Sequence, residues 1–478
     1  MGKISQQIEK LITSKRRRPS NATEKLHRGL LEELASDHSR LIYSPAFRRL
    51  SKKAQVFSLE SNASVRSRIT HSLEVADVGR LIASAVTKQL IEEERISLNL
   101  QVPIIFAVEN ACLVHDIGNP PFGHFGELAI QKWFETNWEY CYDKACPKSQ
   151  TMKVRTNQLM KDFFQFDGNP QGLRILLRLK RDQDSFSYNL TYTTILSFIK
   201  YARSPLEPKG KGLKKKPGYF ESERLIIENM KEELGLAKDA RYLLAYIMEA
   251  ADDIAYCISD IEDGIEKGLL TEKDFFETLN NEWPSSVPFP FANEKFQEEH
   301  FFDFKIAYTQ AAIKKACEYF TREIDGLIQG INPSLFPEGC SEEKAFDALK
   351  NVARKKLYRS KMAENTELAG YQAVTGLLDK FRRLLEISEE DFNLLVENNP
   401  NHLKGKNLDL EWRLFNRLPD KHILAYKDQL KEFERQEFPE WYFRAHLIVD
   451  YISGMTDVFA LEQYQLLSGI KIYQDDKQ

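Results

Sequence analysis

The sequence predicts an all-α protein, a helical core extended by further helices at both ends. Two observations carry that expectation. Turn formers are scarce, since 22 glycines and 18 prolines in 478 residues fall below the roughly 12% that such residues occupy on average, too few for a many-stranded sandwich or barrel. Apolar residues also recur at steps of three and four, the helical repeat.

Residues 1–40 read as a helix, a basic turn (Lys15, Arg16, Arg17, Arg18, Pro19) and a second helix. From Leu41 to about Leu270 the pattern stays helical. In THSLEVADVGRLIASAV, Val75, Val78, Ile82 and Val86 mark one face. The run from Ile104 to Val114 is apolar except for Glu109 and Asn110, as a helix sunk in a bundle must be. A small strand pair is expected near Tyr188–Thr193. The segment Ser204–Tyr219, SPLEPKGKGLKKKPGY, breaks the rhythm with prolines, glycines and five lysines, and reads as an exposed or ligand-ordered loop. A second break, NEWPSSVPFPFANE at 281–294, precedes three more helical stretches, ending in AHLIVDYISGMTDVFALEQY. The expected division is 1–40 as an N-terminal segment, 41–280 as the core with the basic loop 204–219 inserted, and 281–478 as a C-terminal helical region.

Composition narrows the function classes. Sixty-seven basic against 71 acidic side chains leave a net charge of −4, so bulk charge does not advertise nucleic acid. MGKISQQIEK has no apolar signal region, and no stretch reaches the roughly 18 apolar residues that span a bilayer. Cys112, Cys141, Cys146, Cys257, Cys317 and Cys340 are scattered, and a chain of this length buries a core without disulfides. The expectation is a cytoplasmic protein with reduced thiols and no membrane partner.

Chemistry concentrates around His115-Asp116 in ACLVHDIGNPPFGHFGE. Neighbours on a helix diverge by about 100°, so both can face one centre only near a helix end, and Gly118, Asn119, Pro120 and Pro121 supply that end. An imidazole and a carboxylate held together suit a hard-to-borderline divalent cation. His71 opens an amphipathic helix that can pack beside the one ending at His115. In EAADDIAYCISD, Asp252, Tyr256 and Asp260 step by four and share a face, whereas Asp253 is rotated away.

This H…HD…D set is the signature of the HD phosphohydrolase superfamily. Beyond it, RLIYSPAFRRLSKKAQVF, RSRITHSLEVADVGR, HDIGNPPFGHFGE, FDGNPQGLR, KKKPGYFESE, EAADDIAYCISDIEDGI and DYISGMTDVFALEQY resemble the bacterial deoxyguanosine triphosphate triphosphohydrolases, over nearly the whole chain. The resemblance implies an HD-domain helical core and a divalent metal ion, Mg2+ or Mn2+, with another transition metal left open. It implies a homo-oligomer, often a hexamer, and hydrolysis of dGTP, with other dNTPs left open, to deoxynucleoside and inorganic triphosphate by water attack on the α-phosphorus. The metal ligands it implies are His71, His115, Asp116 and Asp252, the set the spacing already suggests.

His124 and Glu127 match the family's catalytic histidine and acid. An imidazole trades protons near neutral pH, and a carboxylate three residues on shares its helix face. Asn119 stands where metazoan relatives carry another histidine. For the substrate, Arg68 matches a phosphate-binding arginine, and Gln55 the residue that holds the sugar 3′-hydroxyl. Tyr256 matches the aromatic under the deoxyribose, with Asp260 beside it. Asn169, Lys200, Tyr201 and Lys216 look like family residues around the triphosphate. Ser36 and Glu367 occupy positions similar to guanine readers, with Tyr358 packing nearby; Arg413 and Arg417 are further cations without an assigned place. The lysine loop suits a triphosphate, and single-stranded DNA is a candidate effector. Two alternatives stay open: an HD phosphohydrolase for another nucleotide, and a nucleotide- or single-strand-DNA-binding regulator.

Overall fold

The computed structural model describes residues 3–19, 28–60, 62–147, 150–180, 185–288, 300–397 and 405–471. The fold is all-α, as the sequence predicts. Among the described residues three isolated bridges (Arg16 with Thr191, Ala54 with Ser67, Arg203 with Pro217) are the only β-type pairings. The strand pair expected near Tyr188–Thr193 is therefore corrected. Thr191 makes one antiparallel bridge to Arg16, then caps the helix Tyr192–Phe198 by accepting from the Thr194 amide at 3.2 Å. A β-branched residue at a helix N-cap looks like a strand residue in sequence.

The His71 helix, Arg68–Glu92, packs against Gln101–Val114 and Ala245–Glu266. Gln101–Val114 is apolar nearly all round because it runs through the interior. The basic turn near the N-terminus is built into the fold. Arg16 is buried, and its guanidinium donates to Glu33 and Asp37 of the helix Leu30–Ile42 and to the Asn189 carbonyl.

Two hydrophobic cores form, and they do not follow chain order. The first gathers the N-terminal helices, the His71, Gln101–Val114 and Ala245–Glu266 helices, and the stretch from Phe301 to Leu357. The second is built on Gly123–Ala145, Lys361–Glu386 and Glu440–Ser453. The chain passes between them at Ile117 to Phe122, Phe166 to Leu173, Tyr219 to Phe220 and back by Ile227, Leu357 to Ala373, and briefly at Ala425 between Leu418 and Tyr426. The break at 281–294 begins at the end of the helix Glu272–Glu282; its part from residue 289 on lies outside the described residues. All six cysteines are free thiols. Among the described residues no helix is long and apolar enough to cross a membrane.

Candidate metal and hydrolytic site

His71 lies inside the first turns of its helix, and His115 follows the last residue of Gln101–Val114, so both imidazoles reach one point between packed helices. Their ring centroids are 5.4 Å apart. Nitrogen and oxygen atoms of His71, His115 and Asp116 lie within 4.8 Å of one another. Asp252 completes the group from the third helix, with Oδ1 3.5 Å from Nε2 of both His71 and His115. Both ring nitrogens of His71 and Nε2 of His115 are buried with no hydrogen-bond partner. Orphaned buried nitrogens are costly, and two imidazoles beside two carboxylates form a donor set that fits a divalent cation. His115 Nδ1 faces the Cys112 carbonyl at 2.7 Å, which fixes the ring so that Nε2 points at the cluster.

The carboxylates are held ionised. Burial would raise Asp116, but Arg68, whose Nη1 donates to Asp116 Oδ2 at 2.5 Å, and the two histidines bring it down to about 2. Burial also opposes ionisation of Asp252, yet Lys200, donating at 3.3 Å, and the histidines hold it well below the usual carboxylate range. Asp253 turns away to Lys350 at 3.3 Å.

His124 starts the helix Gly123–Ala145, after Phe122 and Gly123 both adopt left-handed backbone, φ 61° and 53°. Glycine makes the second of these inexpensive. The His124 side chain is 84% exposed, opening to solvent, while Glu127 beneath it is buried. Glu127 Oε2 meets His124 Nδ1 at 2.8 Å and its Oε1 accepts the Gly168 amide at 2.7 Å. The hydrogen bond and charge of Glu127 raise the His124 pKa above the ordinary histidine value. Gly118 lets HDIGN lie directly on DGNPQG, because a Cβ there would come within 2.1 Å of the Gly168 carbonyl and the Gly172 amide. Asn119 Nδ2 donates to Asp116 Oδ1 at 2.6 Å.

Two further clusters flank this centre. Asp167 accepts from Asn169 Nδ2 at 2.5 Å and from Lys216 Nζ at 2.6 Å. On the other side, the hydroxyls of Tyr256 and Tyr358 meet at 2.7 Å, and Tyr358 donates to Asp260. Burial lifts Asp260 to about 6, even though the two tyrosine hydroxyls favour its charge.

The HD domain matches residues 68–146 and the phosphohydrolase-associated domain matches residues 413–466. The deoxyguanosinetriphosphate triphosphohydrolase of Serratia proteamaculans (strain 568) is 34% identical over 92% of this chain and 94% of its own length. Those of Enterobacter sp. (strain 638) and Yersinia pestis (strain Pestoides F) are 34% and 33% identical, over 92% and 94% of this chain and 95% and 96% of their own. The chain belongs to the deoxyguanosinetriphosphate triphosphohydrolase family. It is an enzyme of that kind, a hydrolase with an HD domain.

Within this triphosphohydrolase the residues singled out in sequence fall into three groups. His71, His115, Asp116, Asp252, Arg68 and Lys200 converge on the cluster, and Lys200-Tyr201 enters beside it because Arg241 grips the Lys200 carbonyl. Tyr256, Asp260 and Tyr358 form one wall, which His71 touches through the Tyr256 ring at 6.5 Å. Gln55 has a buried, unpartnered Oε1 in the loop that the Ala54–Ser67 bridge ties to the start of the His71 helix. Glu367 sits on Lys361–Glu386, near enough for the His124 charge to lower its pKa, although burial and Glu364 raise it overall. Ser36 lies on Leu30–Ile42, and among the described residues no hydrogen bond or ion pair joins it to these clusters. Arg417 donates to Gln463 at 3.0 Å and lines a different cavity.

Three residues went unrecognised in sequence. Asp167 stands in FDGNPQG but draws notice only once Lys216 is seen upon it. Lys53 is buried and donates to the carbonyls of Asn119 and Ser453. Asp457 accepts the amides of Ala54 and Phe122 on its two oxygens, both at 3.0 Å. A threonine-aspartate pair before a helix is an ordinary capping signal, and nothing local says what that carboxylate holds.

Proposed function

We propose that this enzyme hydrolyses dGTP foremost, and other dNTPs less readily, to the deoxynucleoside and inorganic triphosphate. One observation carries the reading: orphaned imidazole nitrogens of His71 and His115 beside two ionised carboxylates, with a solvent-open His124 backed by Glu127 next to them. His71, His115, Asp116 and Asp252 would hold the divalent cation, whose contribution when bound is Lewis-acid neutralisation of phosphoryl charge and a lowered water pKa.

The chain's own groups do the rest. Arg68, Lys200 and Lys216 supply cationic donors for the phosphate oxygens. Asn169 is held facing the same region by Asp167. Water adds to the α-phosphorus as the bond from that phosphorus to the 5′-oxygen breaks, and the departing oxygen needs a proton. His124, kept protonated to higher pH by Glu127, donates it. Tyr256, backed by Tyr358 and Asp260, packs against the deoxyribose, and Gln55 offers its free oxygen to the sugar 3′-hydroxyl. Glu367 accepts from guanine N1–H and the 2-amino group, two donors that adenine does not present together; Ser36 belongs to the same proposed base contact.

Incubation with Mg2+ or Mn2+ and each dNTP in turn, with products separated by chromatography, tests the reaction. Deoxyguanosine plus intact triphosphate is the expected result, and release of pyrophosphate or single phosphate overturns it. Homo-oligomeric assembly, as a hexamer, and stimulation by single-stranded DNA extend the proposal. Light scattering and an assay with added oligonucleotide test them.

A further inference from the structure

A cavity of about 550 Å³ shares no lining residue with the candidate metal centre. Its walls come from the helix Pro45–Arg49, a π-helical turn at Ile175–Leu179, and the helices Asp420–Glu432, Glu440–Ser453 and Asp457–Leu467. The volume falls within the range of sites that enclose small ligands, and single π-helical turns occur frequently at functional sites.

The polar lining is rich in donors and poor in acceptors. Arg49 makes no hydrogen bond or ion pair with any described residue, although burial already pushes its guanidinium below the ordinary range. His422 Nδ1 is buried without a partner. Burial, with the Arg49 and Arg174 charges added against Asp450, brings that imidazole down to about 4, so it is a neutral ring at pH 7. The one carboxylate in the wall, Asp450, is already taken by Arg174 at 2.8–3.0 Å and by Gln171 at 3.0 Å. Arg417 and Lys421 stand at the exposed mouth, and Tyr451 and Phe459 supply aromatic faces. Cationic forks and a neutral imidazole beside aromatic walls suit a phosphate group carrying a planar ring.

We propose that this cavity is a second ligand site, for a phosphorylated small molecule of nucleotide size whose binding is felt at His124. Two covalent continuities supply the route. Gly454, Met455 and Thr456 line the cavity, and the next residue, Asp457, holds the Ala54 and Phe122 amides on either side of the catalytic turn. The π-helical turn continues the helix Gly168–Arg174, whose first amide is donated to Glu127.

Binding is tested apart from catalysis, so failure of this site and failure of the proposed reaction are distinguishable. ATP and inorganic phosphate are titrated calorimetrically into the full-length protein, into Arg68→Ala, and into the double variant Arg417→Gln/Lys421→Gln. Both residues of the double variant are exposed, so its fold is retained, and a thermal melt checks this. ATP is expected to bind Arg68→Ala as it binds the wild type at this site, and the double variant at least about 10-fold more weakly. Inorganic phosphate is expected to bind the same site more weakly than ATP. At saturating dGTP, ATP should change kcat of the wild type at least about twofold and leave that of the double variant unchanged. Equal ATP affinity in the double variant, or loss of all ATP binding in Arg68→Ala, overturns the site. Phosphate binding as tightly as ATP overturns the nucleotide-sized ligand, and an unchanged wild-type kcat overturns the link to His124.

Discussion

At the scale of single residues, Glu127 does two jobs with two oxygens. One raises the pKa of His124, and the other fixes the start of the DGNPQG helix. Glu127→Gln keeps an oxygen for the Gly168 amide but removes the charge that favours the imidazolium. Because the proposed chemistry needs His124 protonated, activity falls as pH rises through the His124 pKa. Lowering that pKa moves the alkaline limb of kcat/KM toward lower pH. The expected result is that shift together with a loss of about 10²-fold in kcat and unchanged metal content by elemental analysis. A limb that stays in place would remove Glu127 from the proton work. The residues of this centre were legible because each lies in a short string whose helical position can be read locally. Asp457 was not, because its partner Phe122 is 335 residues away in sequence, and a capping aspartate carries no mark of a distant partner.

At the scale of elements, the turn at Phe122 and Gly123 that leads into His124 is a strained connection held from outside. Phe122 sits in left-handed backbone without being glycine, a conformation that persists only where the surroundings over-determine it. Asp457, at the start of the last helix, supplies that constraint by accepting its amide, while Lys53 holds the Asn119 carbonyl a few residues earlier. Asp457→Asn keeps the shape but presents an amide NH2 to one of its two N–H donors, the buried Phe122 amide or the part-buried Ala54 amide, costing about 1–3 kcal/mol. The expected outcome is a lower melting temperature and a fall in kcat of about 10-fold, with KM little changed because Arg68, Lys200 and Lys216, the proposed phosphate contacts, keep their anchors on Asp116, Asp252 and Asp167. Unchanged kcat would show that the turn keeps its own geometry. The helices themselves were readable from apolar spacing. The segment Tyr188–Thr193 was misread because its threonines favour strands by composition, whereas Thr191 spends its side chain on a cap and on Asp37.

At the scale of the whole molecule, every cluster of the site lies at or beside a place where the chain crosses between its two cores. His115 and Asp116 precede one crossing and His124 follows it; Asp167 and Asn169 lie within the second, Lys216 just before the third, and Tyr358 and Glu367 within the one from Leu357 to Ala373. Apolar periodicity reports that a face is buried but not which core buries it, so this seam could not be read from sequence. It gives the site polar backbone and water access that neither core interior offers. A seam must also be tied, and Arg174 does so from the DGNPQG helix, placing its guanidinium on Asp450 of Glu440–Ser453 with both side chains buried. Arg174→Met leaves Asp450 as a buried charge with only Gln171 for company, and breaking such a pair costs about 3–5 kcal/mol. Arg174→Met/Asp450→Leu removes both charges and leaves Glu223 to Arg178, which already donates to it at 3.1 Å. Urea unfolding at matched protein concentration should show a large drop in midpoint for the single variant and recovery of most of it in the double variant. If the double variant is no more stable than the single one, the seam is held by the packing around Arg174 and not by its charge.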